Sequence, residues 1–263
     1  MARVSDIAID LGTSRVLIYM KGRGIQLNEP AVVAVDRDTR NIIAIGDEAE
    51  KMIGRTPSNI LAISPLRTGA IVDFDLVSTM LKAFVSQVVG KHFFARPRAV
   101  MAVPSGVNET ERRSLISTMF DVGMRRTQLI HRSLAAALGA GLPIDSAYGT
   151  LIVDISAGVT DIGVISTDRV LVEDCVKVGG DAFSDAIIRH LRRKHNLYIG
   201  ERPAEELKIN LGSAIPRTEQ TYMDVTGRNL ITGLPKTMRI YSDDITEAID
   251  EPLRQLTESI QGV

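Results

Sequence analysis

Residues Asp6–Tyr19 read DIAIDLGTSRVLIY, two short apolar runs, Ile7–Ile9 and Val16–Tyr19, joined across Asp10–Ser14. β-Branched residues on both sides of a glycine-centred turn predict a β-hairpin. Asp10 stands where the first strand ends. Gly12 has no Cβ, so the chain can bend sharply there and bring backbone N–H groups close to a ligand. Thr13 and Ser14 add hydroxyl donors, and Arg15 leads into the second strand. A turn of inward-pointing amides forms a nest for anions such as phosphate. A carboxylate beside it suits a hydrated Mg²⁺, which takes hard oxygen ligands and keeps several waters. The competing reading is an ordinary turn with a surface aspartate.

The pattern returns about 144 residues later in Leu151–Ile165, LIVDISAGVTDIGVI. An apolar run again ends in an aspartate, Asp154. A turn of small residues, Ser156–Ala157–Gly158, follows with Val159, Thr160 and a second apolar run. Two strand–Asp–turn–strand units in one chain predict a duplicated, two-domain α/β body with a nucleotide held between matching turns.

Composition narrows the classes. A chain of 263 residues buries a sizeable core and has room for two domains. A net charge of −1 lacks the basic excess of a surface that tracks nucleic-acid phosphates, so no nucleic acid is expected as a partner. Cys175 is the one cysteine, which rules out an internal disulfide and fits a reducing cytosol. No secretory signal is evident, and no apolar run approaches a spanning helix.

Other candidates come in chain order. Asp73–Val89 carries an amphipathic helical stripe. His92–Arg96, HFFAR, sets Phe93 and Phe94 side by side among basic neighbours. These rings either tuck into the core, the reading composition favours, or dip into a bilayer while Lys91, Arg96 and Arg98 meet anionic headgroups. Asn108–Glu111 opens a helix. Glu111 either reaches back to the cap amide or orients a water for attack on a γ-phosphate, and the roles are compatible. Ser133–Leu142 is a helix of small residues. Gly179–Gly180–Asp181 opens the next helix, with Gly180 at an N-terminus that is either an anion site or an ordinary start. Glu205 and Lys208 lie three apart on a short helix, as a surface ion pair or a contact to ribose or adenine. Thr221–Val225 and Met238–Tyr241 read as strands about a turn region, Gly227–Pro235. Ser242–Ile260 is a last amphipathic helix, which Pro252 is expected to kink.

The whole order resembles the bacterial actins, the MreB and Mbl cell-shape proteins. The likeness runs from Ile9–Gly12 through LNEPAVVAVD (Leu27–Asp36), KMIGRTP (Lys51–Pro57), Val103–Gly106 with Glu111–Arg113, AAALGAGLP (Ala135–Pro143) and IIRHLRRKHNLYIGE (Ile187–Glu201) to GLPK (Gly233–Lys236). It implies an actin-like fold of two lobes, ATP and Mg²⁺ in a cleft, and polymerisation into membrane-associated filaments that guide wall synthesis. It implies that Asp10–Arg15 and Asp154–Thr160 are the phosphate loops, that Glu205 and Lys208 sit at the nucleoside, that Glu111 orients water, and that Asp10 and Asp154 hold Mg²⁺ through water. It also makes Phe93 and Phe94 the membrane contact.

The chain departs from that family's pattern. Ser156–Ala157–Gly158–Val159–Thr160 replaces a triple glycine followed by two threonines, so Val159 lacks a hydroxyl donor. Arg15 stands where asparagine is usual, and Arg132–Ser133 where the family has Glu–Pro. The family continues beyond the position of residue 263 with a glycine-rich adenine loop. The expectation is therefore a shortened member with an incomplete second lobe. Lobe I is expected over residues 1–145, with an insertion at about 29–67, and lobe II over 146–263, with a subdomain at about 181–241. It would be cytoplasmic and membrane-associated. It would show at most residual ATPase activity and act with itself or a full-length relative at the wall-synthesis machinery. A small-molecule kinase of the same superfold is the alternative.

Overall fold

The structure, a computed structural model, describes residues 6–90 and 97–263. Contacts divide the chain into two compact units, with the boundary between Lys177 and Val178. The lobe boundary expected near residue 145 follows the family's lobes rather than contact density, and remains a proposal.

In the first unit, β1 (Ile7–Leu11), β2 (Arg15–Met20) and β3 (Gly24–Pro30) form a meander. Then come β4 (Val33–Asp36), β5 (Ile42–Ile45), the single-turn α1 (Asp47–Glu50), β6 (Ile60–Ile63), and the short pair β7 (Leu66–Arg67) and β8 (Ala70–Ile71). Helix α2 (Phe74–Val89) leads to β9 (Arg98–Val103), α3 (Glu109–Asp121), β10 (Arg126–His131) and α4 (Arg132–Gly139). The antiparallel strands β11 (Thr150–Ile155), β12 (Thr160–Ser166) and β13 (Arg169–Val176) complete the unit.

The central sheet runs β10–β9–β1–β2–β3, parallel from β10 through β1 and antiparallel beyond. Period-two alternation sends Ile7, Ile9 and Leu11 of β1, and Val16, Ile18 and Met20 of β2, into the core. The expected stripe of α2 packs there through Leu76, Val77, Met80, Leu81, Phe84 and Val85. Asp73 caps this helix by accepting the N–H of Leu76.

The second unit holds α5 (Gly180–His195), β14 (Leu197–Tyr198), α6 (Glu201–Leu211), β15 (Tyr222–Asn229), β16 (Pro235–Tyr241) and α7 (Ser242–Gly262). Its antiparallel sheet, β14–β15–β16, shares a core with Ile187 and Leu191 of α5, Leu207 of α6 and Ile245 of α7. Among the described residues no helix is long and apolar enough to cross a membrane.

Several expectations change. Asn28–Pro30 ends strand β3, which is the sheet edge, where proline's missing N–H is tolerated. The turn expected over Gly227–Pro235 is shorter: Gly227–Asn229 pair with Lys236, Pro235 and Leu197 in the sheet. Strands β6, β7, β8 and β14 carry too few residues to show a period in sequence. Helix α7 continues as one element through the buried Pro252.

Candidate functional site

The two matching sequence units fold into matching hairpins. Asp10 and Asp154 sit near the ends of β1 and β11, each followed by a tight turn. Gly12 donates its N–H to the carbonyl of Arg15 at 3.0 Å, and Ser156 donates to the carbonyl of Val159 at 2.9 Å. The tips are therefore Thr13–Ser14 and Ala157–Gly158, closed by the same bond at the same offset from each aspartate.

The tips meet. A Cβ on Gly158 would lie 2.5 Å from Oγ1 of Thr13 and 3.0 Å from the Gly69 nitrogen and the Thr68 Cα. The same Thr13 hydroxyl accepts the N–H of Gly69 at 3.2 Å. Gly69 has a positive φ, and a Cβ there would lie 2.7 Å from Cγ1 of Val159. Val159 is buried and packs against this glycine turn with its apolar face. Arg15 turns away from the tip: its guanidinium donates to Oδ1 and the carbonyl oxygen of Asn28 on β3. Arg15 keeps its place in the expected first phosphate loop through its carbonyl, which closes the turn, while its side chain bonds to the neighbouring strand.

Behind the tips lies a charge cluster of which sequence exposed only half. Asp154 and Asp161 are register partners across β11 and β12, so both carboxylates fall on one face. Asp161 is fully buried and accepts the N–H of Ser105 at 2.9 Å and its hydroxyl at 3.0 Å. Arg132, the first residue of α4, is buried among these groups. Its Nη1 lies 3.4 Å from Oδ2 of Asp161, and its Nη2 lies 3.4 Å from the Leu11 carbonyl and 3.7 Å from Oδ1 of Asp10. Helix α4 can approach β12 this closely because Gly163 leaves room for Ser133; a Cβ at Gly163 would come within 2.8 Å of that side chain.

Burial raises the carboxyl pKa of Asp10, with Arg132 opposing the shift and Asp161 adding to it. Burial also raises that of Asp154; Arg132 opposes it, and Asp161 and Asp10 reinforce it. Arg132 and Asp161 thus act on both aspartates, and Asp10 adds to the field at Asp154. Oδ1 of Asp10 and Nε of Arg132 are buried without a hydrogen-bond partner among the described residues. As a cradle for Mg²⁺ the set does not fit: the carboxylate oxygen that would face the hydrated ion faces an immobilised guanidinium. Mg²⁺ at Asp10 and Asp154 is therefore no part of the reading proposed below.

A cavity of about 140 Å³ opens beside these groups, lined in part by Leu11, Thr68, Gly69, Gly106, Glu111 and Val159. Glu111 is both a cap and a wall residue. Its Oε2 accepts the Asn108 N–H at 3.0 Å, and Asn108 Oδ1 accepts the Glu111 N–H at 2.9 Å. Cys175 also lines the cavity, and burial pushes its thiol up to about 11, which leaves it protonated and inert.

In the second unit Gly180 begins α5, and its carbonyl accepts from Nζ of Lys208 at 3.0 Å. Lys208 pairs with Glu205, which also accepts the Ser184 hydroxyl at 2.9 Å. The expected surface pair is thus a closed network on the first turn of α5. Phe93 and Phe94 lie outside the described residues. Sequence reasoning passed over Asp161 and gave Arg132 only as a departure. The available signal was an aspartate inside an apolar strand, where burial demands a partner.

The family model described as MreB/Mbl protein matches residues 4–263. The cell shape-determining protein Mbl of Bacillus cereus is 40% identical over 258 residues, spanning 98% of this chain and 78% of its own. The cell shape-determining protein MreB of Escherichia coli is 42% identical over 261 residues, 97% of this chain and 75% of its own. The crystal structure of MreB 5 of Spiroplasma citri bound to AMPPNP superposes with a TM-score of 0.92 at 33% identity, over 100% of this chain and 78% of that one. The α/β fold is actin-like, and with matching hairpins, shared motifs and these relatives in agreement, the chain belongs to the MreB/Mbl family.

Proposed function

We propose that this chain is a nucleotide-binding actin-like protein that takes part in cytoskeletal filaments governing cell shape or wall synthesis. The observation that carries the reading is the pair of hairpins closed by the same backbone bond, with tips in contact and Arg132 and Asp161 acting on both aspartates. Such turns offer backbone amides to phosphate oxygens. A relative at 33% identity is bound to AMPPNP, which supports ATP as the ligand class. Gly12, Thr13, Ser14, Ser156, Ala157, Gly158 and Thr160 are the proposed phosphate-loop residues, and Gly180, Glu205 and Lys208 are proposed for the nucleoside.

Turnover is proposed to be weak or lost. Val159 presents methyl groups where a hydroxyl would donate, and the Glu111 carboxylate is already engaged at its own helix cap. A water-orienting role for Glu111 needs its second oxygen or a loosened cap. Mg²⁺ is left out of the proposal because Arg132 stands among its expected ligands.

The proposed partners are further copies of this chain or a full-length MreB-type protein, the inner face of the cytoplasmic membrane, and the wall-synthesis machinery. Membrane contact through Phe93 and Phe94 rests on the family resemblance alone. The small-molecule kinase reading is not favoured by the family membership. Negative-stain electron microscopy of the purified chain, alone and mixed with a full-length relative, with vesicle cosedimentation alongside, tests the proposal. Filaments or co-polymers are expected; brisk phosphorylation of a small acceptor with no assembly under any condition refutes it.

A further inference from the structure

We infer that Arg132 supplies the positive charge a divalent ion would bring to this site, so that a nucleoside di- or triphosphate binds without a metal held by Asp10 and Asp154. The inference rests on the reading of the hairpin tips as phosphate loops.

The geometry begins with a conflict. Asp154 and Asp161 face each other across β11 and β12, and like charges directly opposite destabilise a sheet. Asp10 adds a third carboxylate that interacts with both. Arg132 is the cation placed among them, 3.4 Å from Asp161 and 3.7 Å from Asp10. It holds that place although it opens α4, where the helix dipole disfavours a cation. The carboxylates outweigh that cost.

Charge arithmetic gives the inference its form. Three carboxylates and one guanidinium leave two net negative charges. A glutamate at position 132, the residue type of the family pattern, would leave four, and one divalent ion would return the cluster to two. Arginine in place of glutamate changes the charge by as much as one Mg²⁺. Unlike a bound ion, it is covalently fixed, buried and permanently charged. Guanidinium is also suited to phosphate oxygens. Nε of Arg132 is buried with no hydrogen-bond partner among the described residues, which leaves one guanidinium donor for an acceptor oxygen.

The test is calorimetric titration of the full chain with ADP and with AMPPNP, in excess EDTA and in excess magnesium. The two conditions are expected to give the same Kd within roughly twofold. Arg132→Glu is expected to bind on the order of 100-fold more weakly in EDTA and to recover with magnesium. Arg132→Gln, a milder change, is expected to gain a smaller magnesium dependence. Binding by the unaltered chain that disappears in EDTA overturns the inference while leaving the phosphate loops in place. Binding absent in both buffers overturns the inference and the phosphate-loop reading together. The comparison on the unaltered chain decides the matter even if Arg132→Glu fails to fold.

Discussion

Gly158→Ala probes the contact between the two hairpins with a single methyl group. The added Cβ would sit 2.5 Å from Oγ1 of Thr13 and 3.0 Å from the Gly69 nitrogen and the Thr68 Cα. Two of these neighbours are backbone atoms in a turn whose residues, Thr68 and Gly69, both have positive φ and little freedom to yield. Overpacking of this kind costs about 1–3 kcal/mol. Displacing Thr13 also strains its hydrogen bond from Gly69, worth about 0.5–1.5 kcal/mol. Against this, alanine narrows the unfolded ensemble by about 0.4–1 kcal/mol. The net loss is about 0.5–4 kcal/mol, a fall in melting temperature of roughly 1–16 °C for a chain of this size. Urea unfolding followed by circular dichroism measures it. The same substitution in a Thr13→Ala background is expected to cost about 1 kcal/mol less, because the nearest atom is gone. A Gly158→Ala protein within about 0.5 kcal/mol of the parent, or an equal cost in both backgrounds, refutes the interlocking of the tips.

Three further outcomes are expected. Glu111→Ala loses the reciprocal cap and about 1 kcal/mol, whereas Glu111→Gln keeps an acceptor for the Asn108 N–H and stays within about 0.5 kcal/mol; thermal melts of both variants check this. Leu191→Ala empties a fully buried position of the second unit and costs about 2–5 kcal/mol, read by urea unfolding. Burial holds the pKa of His190 below its ordinary 6.5; Glu247 and Asp244 pull it up, and Lys194 and Arg193 push it down. The unfolded chain takes that proton first, so stability falls as pH drops from 6.5 through the lowered value. Melting temperatures at successive pH values should show this slope and lose it in His190→Gln. Asp244 and Glu247, held low with Lys194 bonded to both, lose their contribution only at more acid pH, below their ordinary 3.8 and 4.5.

Much of the fold was legible because it depends on short-range periodicity. The hairpin at Asp10, its repeat at Asp154, the stripe of α2 and the Asn108–Glu111 cap each follow from neighbours within a few residues. The two-residue strands and β6 were not legible, since they exist only through partners elsewhere in the chain. Pro30 is a related case: a proline ends a strand or sits on its edge depending on where that strand lies in the sheet.

The site divides along the same line. Sequence alone determined which turns join a carboxylate, a bend and hydroxyls, because these lie consecutively. Tertiary structure decided what surrounds them. Arg132 and Asp161 lie 29 residues apart and meet through the close packing of α4 on β12 at Gly163. Burial then makes their charges consequential, since the sign and distance of a partner matter far more out of water than in it.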